Sequence, residues 1–262
     1  MTGTAAAVEL EDIGLAVSGV HILDGVSLSI AAGEMVGVIG PNGAGKTTLF
    51  NVVSGVVRPT RGSVRLGGRD VTRASMRQRA RRGLGRTFQS SSLFDALTVL
   101  ENVRLAVQAM RPGTHRRGLN LWSVWSDHAD LLARADQLLA EIALKDKENE
   151  LVANLPHGDQ RKLEVALLMA LEPQVYMFDE PTAGMNHAEA PVILDLIRKL
   201  KADNSKTILL VEHKMDVVRE LADRIIVLHN GTLVADGEPA QVIASPVVQE
   251  AYLGVSAQKE AA

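Results

Sequence analysis

The chain has 262 residues, 46% of them hydrophobic, no cysteine and a formal net charge of −3. That length supports one large domain or a domain carrying an insertion. The missing cysteines exclude disulfides, thiolate metal sites and cysteine nucleophiles, and the slight acidity gives no general attraction to nucleic acid or anionic lipid.

Met1 to Leu10 holds no basic stretch followed by an apolar run, and Glu9, Glu11 and Asp12 come early, so a cytoplasmic protein is expected. The longest apolar runs, such as Val165 to Leu171, fall far short of the about twenty residues a spanning helix needs. Any membrane association is therefore expected to go through a partner.

The opening third reads as strands. Val26, Leu28 and Ile30 alternate with polar or small residues, and Gly33-Glu34 turns into the apolar run Met35 to Ile39, a strand buried on both faces. Thr47 to Val53 suits a helix ended by Ser54-Gly55, and Arg61 to Gly68 a short strand between turns. From Leu97 to Met110 and Leu131 to Leu144, apolar residues recur at helical spacing, which predicts a helical insertion. Strand and helix then alternate through Val175–Phe178, a helix around 191–200, Thr207–Val211, a helix from about Met215, and Arg224–Leu228. This order predicts a parallel sheet covered by helices. Asn230-Gly231 is a hairpin turn signal, and the tail after Gly254 is expected to be disordered.

Between the buried strand and the first helix stands Gly40-Pro41-Asn42-Gly43-Ala44-Gly45-Lys46-Thr47, with Thr48 next in line. Its glycines let the backbone bend around an anion, and its amides and the helix N-terminus aim positive charge at phosphates. Lys46 is expected to reach the β- and γ-phosphates of a nucleoside triphosphate, and Thr47 to ligate Mg²⁺. A second site follows the strand ending at Phe178, where Asp179 is expected to hold the magnesium through water and Glu180 to act as general base. ATP and Mg²⁺ are the expected ligands.

With these elements in order, together with Thr87-Phe88-Gln89, Leu155 to Gln160, Phe178-Asp179-Glu180-Pro181 and Val211-Glu212-His213, the sequence resembles ABC-type ATPases from about Val8 to Gly254. The resemblance implies an α/β P-loop NTPase of ABC type with a mixed β-sheet core and a helical subdomain insertion. Residues 1–90 would form the first part of the ATPase core with the phosphate and glutamine loops. Residues 91–157 would form the helical subdomain, 158–254 the second part of the core with the signature helix and switch histidine, and 255–262 a tail.

By the same resemblance Gln89 would contact the metal or the attacking water, and His213 the γ-phosphate. Gly158 would help cap the nucleotide held by a second subunit, and Val17 would stand where an aromatic residue usually stacks on adenine. The helix after Leu155-Pro156-His157-Gly158-Asp159-Gln160 is expected to begin near Gln160, with Asp159 placing a carboxylate near an anion. The family's usual string there resembles Leu-Ser-Gly-Gly-Gln, and Ala183-Gly184-Met185-Asn186 lacks the aspartate that many members place at the dimer interface.

Ala183 to Asn186, Glu212-His213-Lys214-Met215 and the ending Ala251-Tyr252-Leu253-Gly254 resemble the ATPases of branched-chain amino-acid uptake systems. Related systems move urea, short amides or other small polar solutes. The implied partners are a second ABC ATPase in a homodimer or heterodimer, integral membrane permease subunits and, indirectly, a solute-binding protein, with no nucleic acid. The implied location is the cytoplasm, peripheral on the inner face of the membrane. The alternative is a soluble ABC-type ATPase acting on nucleic-acid or ribosomal complexes without a permease, which would predict a long coiled-coil insertion or two cassettes.

Arg73, Arg77, Arg79, Arg81, Arg82 and Arg86 read as a solvated helix face. Trp122 and Trp125 read as satellite core, and His21, His115, His128, His187 and His229 show no metal-ligand spacing.

Overall fold

The computed structural model describes residues 6–87, 93–109, 129–187, 189–246 and 248–249. The expectations for Gln89, Trp122, Trp125, the ending around Tyr252 and the tail fall outside them. The chain divides into two compact units, one formed by Met1–Arg86, Gln174–Glu180 and Lys201–Ala262, the other by Thr87–Pro173 and Pro181–Leu200.

Among the described residues, all the extended strands lie in the first unit. Strands β1 (Ala6–Val17), β2 (Val20–Ala31), β4 (Arg61–Leu66) and β5 (Arg69–Asp70) form an antiparallel sheet in the order β2-β1-β4-β5. A second sheet has the order β10-β9-β3-β8-β7-β6, built from β3 (Met35–Ile39), β6 (Leu84–Arg86), β7 (Val175–Asp179), β8 (Thr207–Val211), β9 (Arg224–His229) and β10 (Thr232–Gly237). Its pairs are parallel except β9 with β10, which closes as a hairpin through Asn230 and Gly231, both at positive φ. That is the turn Asn-Gly signals, since only a primed turn matches the right-handed twist of the strands.

Every residue of β3, β7 and β8 is buried, which explains why Met35–Ile39, Val175 to Phe178 and Ile208 to Val211 read as apolar runs rather than alternations. One face of the six-stranded sheet, with Val36, Val38, Met177 and Leu209, shares a core with Leu49, Phe50 and Val53 of α1 (Lys46–Ser54) and with the inner residues of β1, β2 and β4. The other face packs Ile39, Ile225 and Val227 against Val218 of α7 (Met215–Leu221) and Val242 of α8 (Pro239–Ala244).

The arginine stretch departs from the solvated face expected of it. Arg73, Arg77, Arg81 and Arg82 are exposed, but Arg79 and the Arg86 side chain are buried. Arg79 lies in the short helix α2 (Met76–Ala80), which a Ser75–Gln78 capping box starts. Its guanidinium donates to the carbonyls of Val52 and Val53 at 2.6 and 2.7 Å, and to those of Thr72 and Ala74 at 3.2 Å. Those first two acceptors belong to the last turn of α1, whose carbonyls have no intrahelical donor and carry the negative end of the helix dipole. Arg79 is therefore a C-terminal cap delivered from elsewhere in the chain. Burial pushes its pKa down to about 10, against the opposing pull of Asp70.

The second unit contains α3 (Val99–Ala109), α4 (Ala129–Glu141), α5 (His157–Ala170) and all but the end of α6 (Ala190–Ala202), so beyond the insertion expected at 91–157 it also takes in α5 and most of α6. Leu131, Ala135, Leu138 and Leu139 form the buried face of α4. Helix α5 begins at His157, earlier than the expected start near Gln160. Pro156 is its N-cap, where a residue without an amide costs nothing, and the Gln160 amide donates to the Pro156 carbonyl at 3.0 Å. The acidic Asp159 thus sits in the first turn, which the helix dipole favours.

Candidate functional site

Strand register builds the site. In the parallel ladder Val38 lies opposite Val211, and Val211 opposite Asp179, so β3, β8 and β7 end at the same level of the sheet. The segments that leave these ends, the phosphate loop, Glu180 and Glu212-His213, therefore emerge together at the carboxyl edge, where parallel sheets bind ligands.

The phosphate loop runs from buried Gly40 to the first turn of α1, with Gly45 as N-cap. Gly45 has φ 102°, and a Cβ there would stand 2.9 Å from Leu23 Cδ2 and 3.1 Å from the Ile22 carbonyl. A side chain at Gly40, where φ is 152°, would collide with the Leu228 carbonyl. The loop is thus pressed between β2 and the end of β9, and its backbone has no room for another residue at either position. The Gly231 amide of the β9–β10 turn donates to the Ala44 carbonyl at 3.1 Å, so the hairpin also braces the loop. The opening amides of α1 have no acceptor within the helix and are available to an anion.

Lys46 Nζ donates to the carbonyls of Gly40 and Pro41 at 2.6 and 2.9 Å. Burial lowers its pKa below the ordinary value, and the nearby charges of Glu180 and Asp179 work in the opposite direction. The ammonium is held against the carbonyls of its own loop. Thr47 and Thr48 follow on the first turn, both partly buried.

Asp179 is fully buried at the end of β7. Its Oδ2 accepts from Arg86 Nη2 at 2.8 Å. Arg86 Nη1 also donates to Asn51 Oδ1 at 2.7 Å and to Ser54 Oγ at 3.0 Å, and the guanidinium lies 5.6 Å from the Phe50 ring centroid. Burial pushes the Arg86 pKa down, and Asp179 pulls it back up. Arg86 was expected on a solvated helix face, and its side chain is instead buried against Asp179. Its one signal is chemical: a carboxylate at the end of a wholly apolar strand needs a buried cation.

Glu180 has a positive φ of 50°, and its amide donates to the Val211 carbonyl at 2.9 Å. That backbone turn lifts the side chain out of the strand, where its Oε1 accepts a 2.7 Å hydrogen bond from His213 Nε2 in the tautomer protonated there. Glu180 and His213 are thus brought together, both partly accessible to solvent. Val17 lies at the tip of the β1–β2 hairpin and is exposed, as is Val20 opposite it.

In the second unit, Gly158 is buried in the first turn of α5, and a Cβ there would collide with the Glu189 carboxylate. Glu189 and Asn186 exchange hydrogen bonds of 3.1 and 3.0 Å between side chain and backbone, a capping box at the start of α6. Asp159 is 5% exposed and bonds to Lys147 at 2.6 Å and to Lys162 at 2.8 Å. Burial raises its pKa, but the two lysines outweigh that and hold it below the ordinary carboxylate value. The carboxylate expected near an anion thus carries a charge that two lysines compensate.

A family profile described as ABC transporter matches residues 23–183, and one described as branched-chain amino acid ATP-binding cassette transporter matches residues 232–258. The chain is 40% identical over 237 residues to the high-affinity branched-chain amino acid transport ATP-binding protein LivG of Salmonella typhimurium, covering 90% of this chain and 93% of that protein. An ATP-binding cassette of an ABC transporter, solved in its ADP conformation, superposes with a TM-score of 0.78 at 28% identity, covering 95% of this chain and 99% of that one. A dimeric cassette in a post-hydrolysis state, bound to ADP and Pi, superposes with a TM-score of 0.76 at 26% identity over 88% of this chain and 98% of that one. The chain belongs to the ATP-binding cassettes of ABC transporters, in the branched-chain amino-acid group, and is an ATPase of that class.

Proposed function

We propose that this ATPase energises uptake of branched-chain amino acids, or of a related small polar solute, working as a pair of cassettes docked on integral membrane permease subunits that a solute-binding protein supplies. The observation that carries the reading is the convergence of Lys46, Asp179, Glu180 and His213 on one edge of the parallel sheet, in a chain with the LivG likeness.

In this reading the amides of Gly43 to Thr48 and the Lys46 ammonium bind the β- and γ-phosphates. Glu180 accepts a proton from a water whose oxygen attacks the γ-phosphorus. The bond to the β–γ bridging oxygen breaks, leaving ADP and inorganic phosphate. His213 holds the Glu180 carboxylate through its one Nε2–H, and in this reading turns that N–H from the carboxylate to the γ-phosphate when ATP binds. Gly158 and the first turn of α5 in a second copy complete the site, and Val17 gives adenine an apolar contact without a π-face.

Magnesium fits the donors present. Among the described residues no three His, Cys, Asp or Glu converge, and the oxygens on offer are the Thr47 hydroxyl and, through water, the Asp179 carboxylate. A hard cation that takes few protein oxygens and otherwise binds phosphates and water suits such a set. Bound there, it would neutralise charge on the phosphates, and Gln89 would be a further contact.

Among the described residues no helix is long and apolar enough to cross a membrane. Attachment to the cytoplasmic face would therefore run through the permease. The test is uptake of radiolabelled leucine, urea and a short amide in cells lacking this chain, with complementation by the wild type. Restored uptake of one solute, and copurification of the chain with hydrophobic permeases in detergent, is expected. Unchanged uptake together with ribosome or DNA association would favour the soluble alternative.

A further inference from the structure

Asp179 is fully buried, and the Arg86 side chain is 5% exposed. Burying an ionised carboxylate is costly unless a fixed positive charge compensates it. Arg86 supplies that charge at 2.8 Å and is itself clamped to α1 through Asn51 and Ser54. One guanidinium thus ties the end of β7 to the end of β6 and to the helix that opens on the phosphate loop.

The arrangement has an electrostatic consequence. A divalent cation that draws on the Asp179 carboxylate meets a guanidinium already drawing on it. Two positive charges that draw on one carboxylate in a partly desolvated site each weaken the other's hold on it. We propose that Arg86 is a positioning residue for ATP hydrolysis that acts through Asp179: it fixes the carboxylate against α1 and sets how weakly the metal accompanying ATP is held. The inference rests on the reading of Asp179 as a magnesium residue. A purely structural Arg86 would affect stability and would change nucleotide affinity equally with and without metal.

The experiment measures equilibrium binding of a non-hydrolysable fluorescent ATP analogue to the full chain, first in EDTA and then along a Mg²⁺ titration. Arg86→Gln should shift the Mg²⁺ midpoint about tenfold lower, the scale expected from removing one charge near the ion. Arg86→Lys keeps the charge and should return the midpoint towards wild type, a rescue that lost packing would not show. If Arg86→Gln does not fold, Arg86→Met gives a second arm, since it removes the charge while keeping apolar packing against Phe50, and it should also lower the midpoint. An unmoved or raised midpoint in the folded variants overturns the inference. Asp179→Asn separates the two readings. If it leaves the Mg²⁺ dependence intact, the assignment of Asp179 fails. If it weakens that dependence while Arg86→Gln changes nothing, only the role of Arg86 fails.

Discussion

His213 Nε2 lies 2.7 Å from Glu180 Oε1, joining two residues thirty-three positions apart across the ends of adjacent parallel strands. The hydrogen bond fixes the direction of a carboxylate that backbone geometry has already lifted from its strand. Glu180→Gln preserves shape and removes the base. Steady-state ATP turnover should fall by about 10²- to 10⁴-fold, with ATP still bound and a closed dimer accumulating on size-exclusion chromatography. Near-normal turnover would remove Glu180 as the base. His213→Ala should also lower turnover, and by a larger factor than it weakens ATP binding.

Lys46 contributes one buried ammonium over the phosphate loop. Lys46→Ala should weaken ATP binding by at least about tenfold, the scale of a lost charge-assisted hydrogen bond. Isothermal titration with ATP reads this directly, and unchanged affinity would contradict the assignment of the loop.

Asp159 should make stability depend on acid. Its folded pKa lies below the ordinary value of 3.8, so its contribution is fully present above that value and is lost as pH falls through the lower folded one. Asp159→Asn should cost roughly 1–3 kcal/mol at neutral pH and flatten the stability profile in that acid window. Urea unfolding between neutral pH and pH 3 checks both parts, and an unchanged slope would show that the lysine pairs contribute nothing.

Arg79→Met keeps much of the side-chain volume and removes every donor. It strips Val53 of the Arg79 donor and leaves Val52 with the Gly55 amide alone, which should cost roughly 1–3 kcal/mol by denaturant unfolding. The phosphate loop opens that same helix, so ATP affinity should fall with stability rather than independently of it.

The parts of this protein readable from sequence were those whose chemistry is contiguous. Gly40 to Thr47 carries its function in one run of backbone. The wholly apolar strand before Asp179 announces its own burial, and Asn230-Gly231 names its turn. Helical periodicity likewise placed α3 and α4 to within a few residues. Helix α5 starts at His157 and not near Gln160, because Pro156 serves as N-cap, a position that needs only its carbonyl and a compatible φ.

Sequence by itself determined the glycine-rich loop and the strand ends that carry Asp179 and Glu180, because backbone conformation and local periodicity are written in adjacent residues. Only the tertiary structure decided the fate of the charges. Six arginines in one stretch look alike as a string, yet Arg79 caps α1 and Arg86 pairs with Asp179, ninety-three positions away. Asp159 likewise becomes a compensated group only where Lys147 and Lys162 meet it. Whether a charged side chain is solvated, capping or paired depends on which groups the fold brings within a few ångströms, and no spacing along the chain encodes that distance.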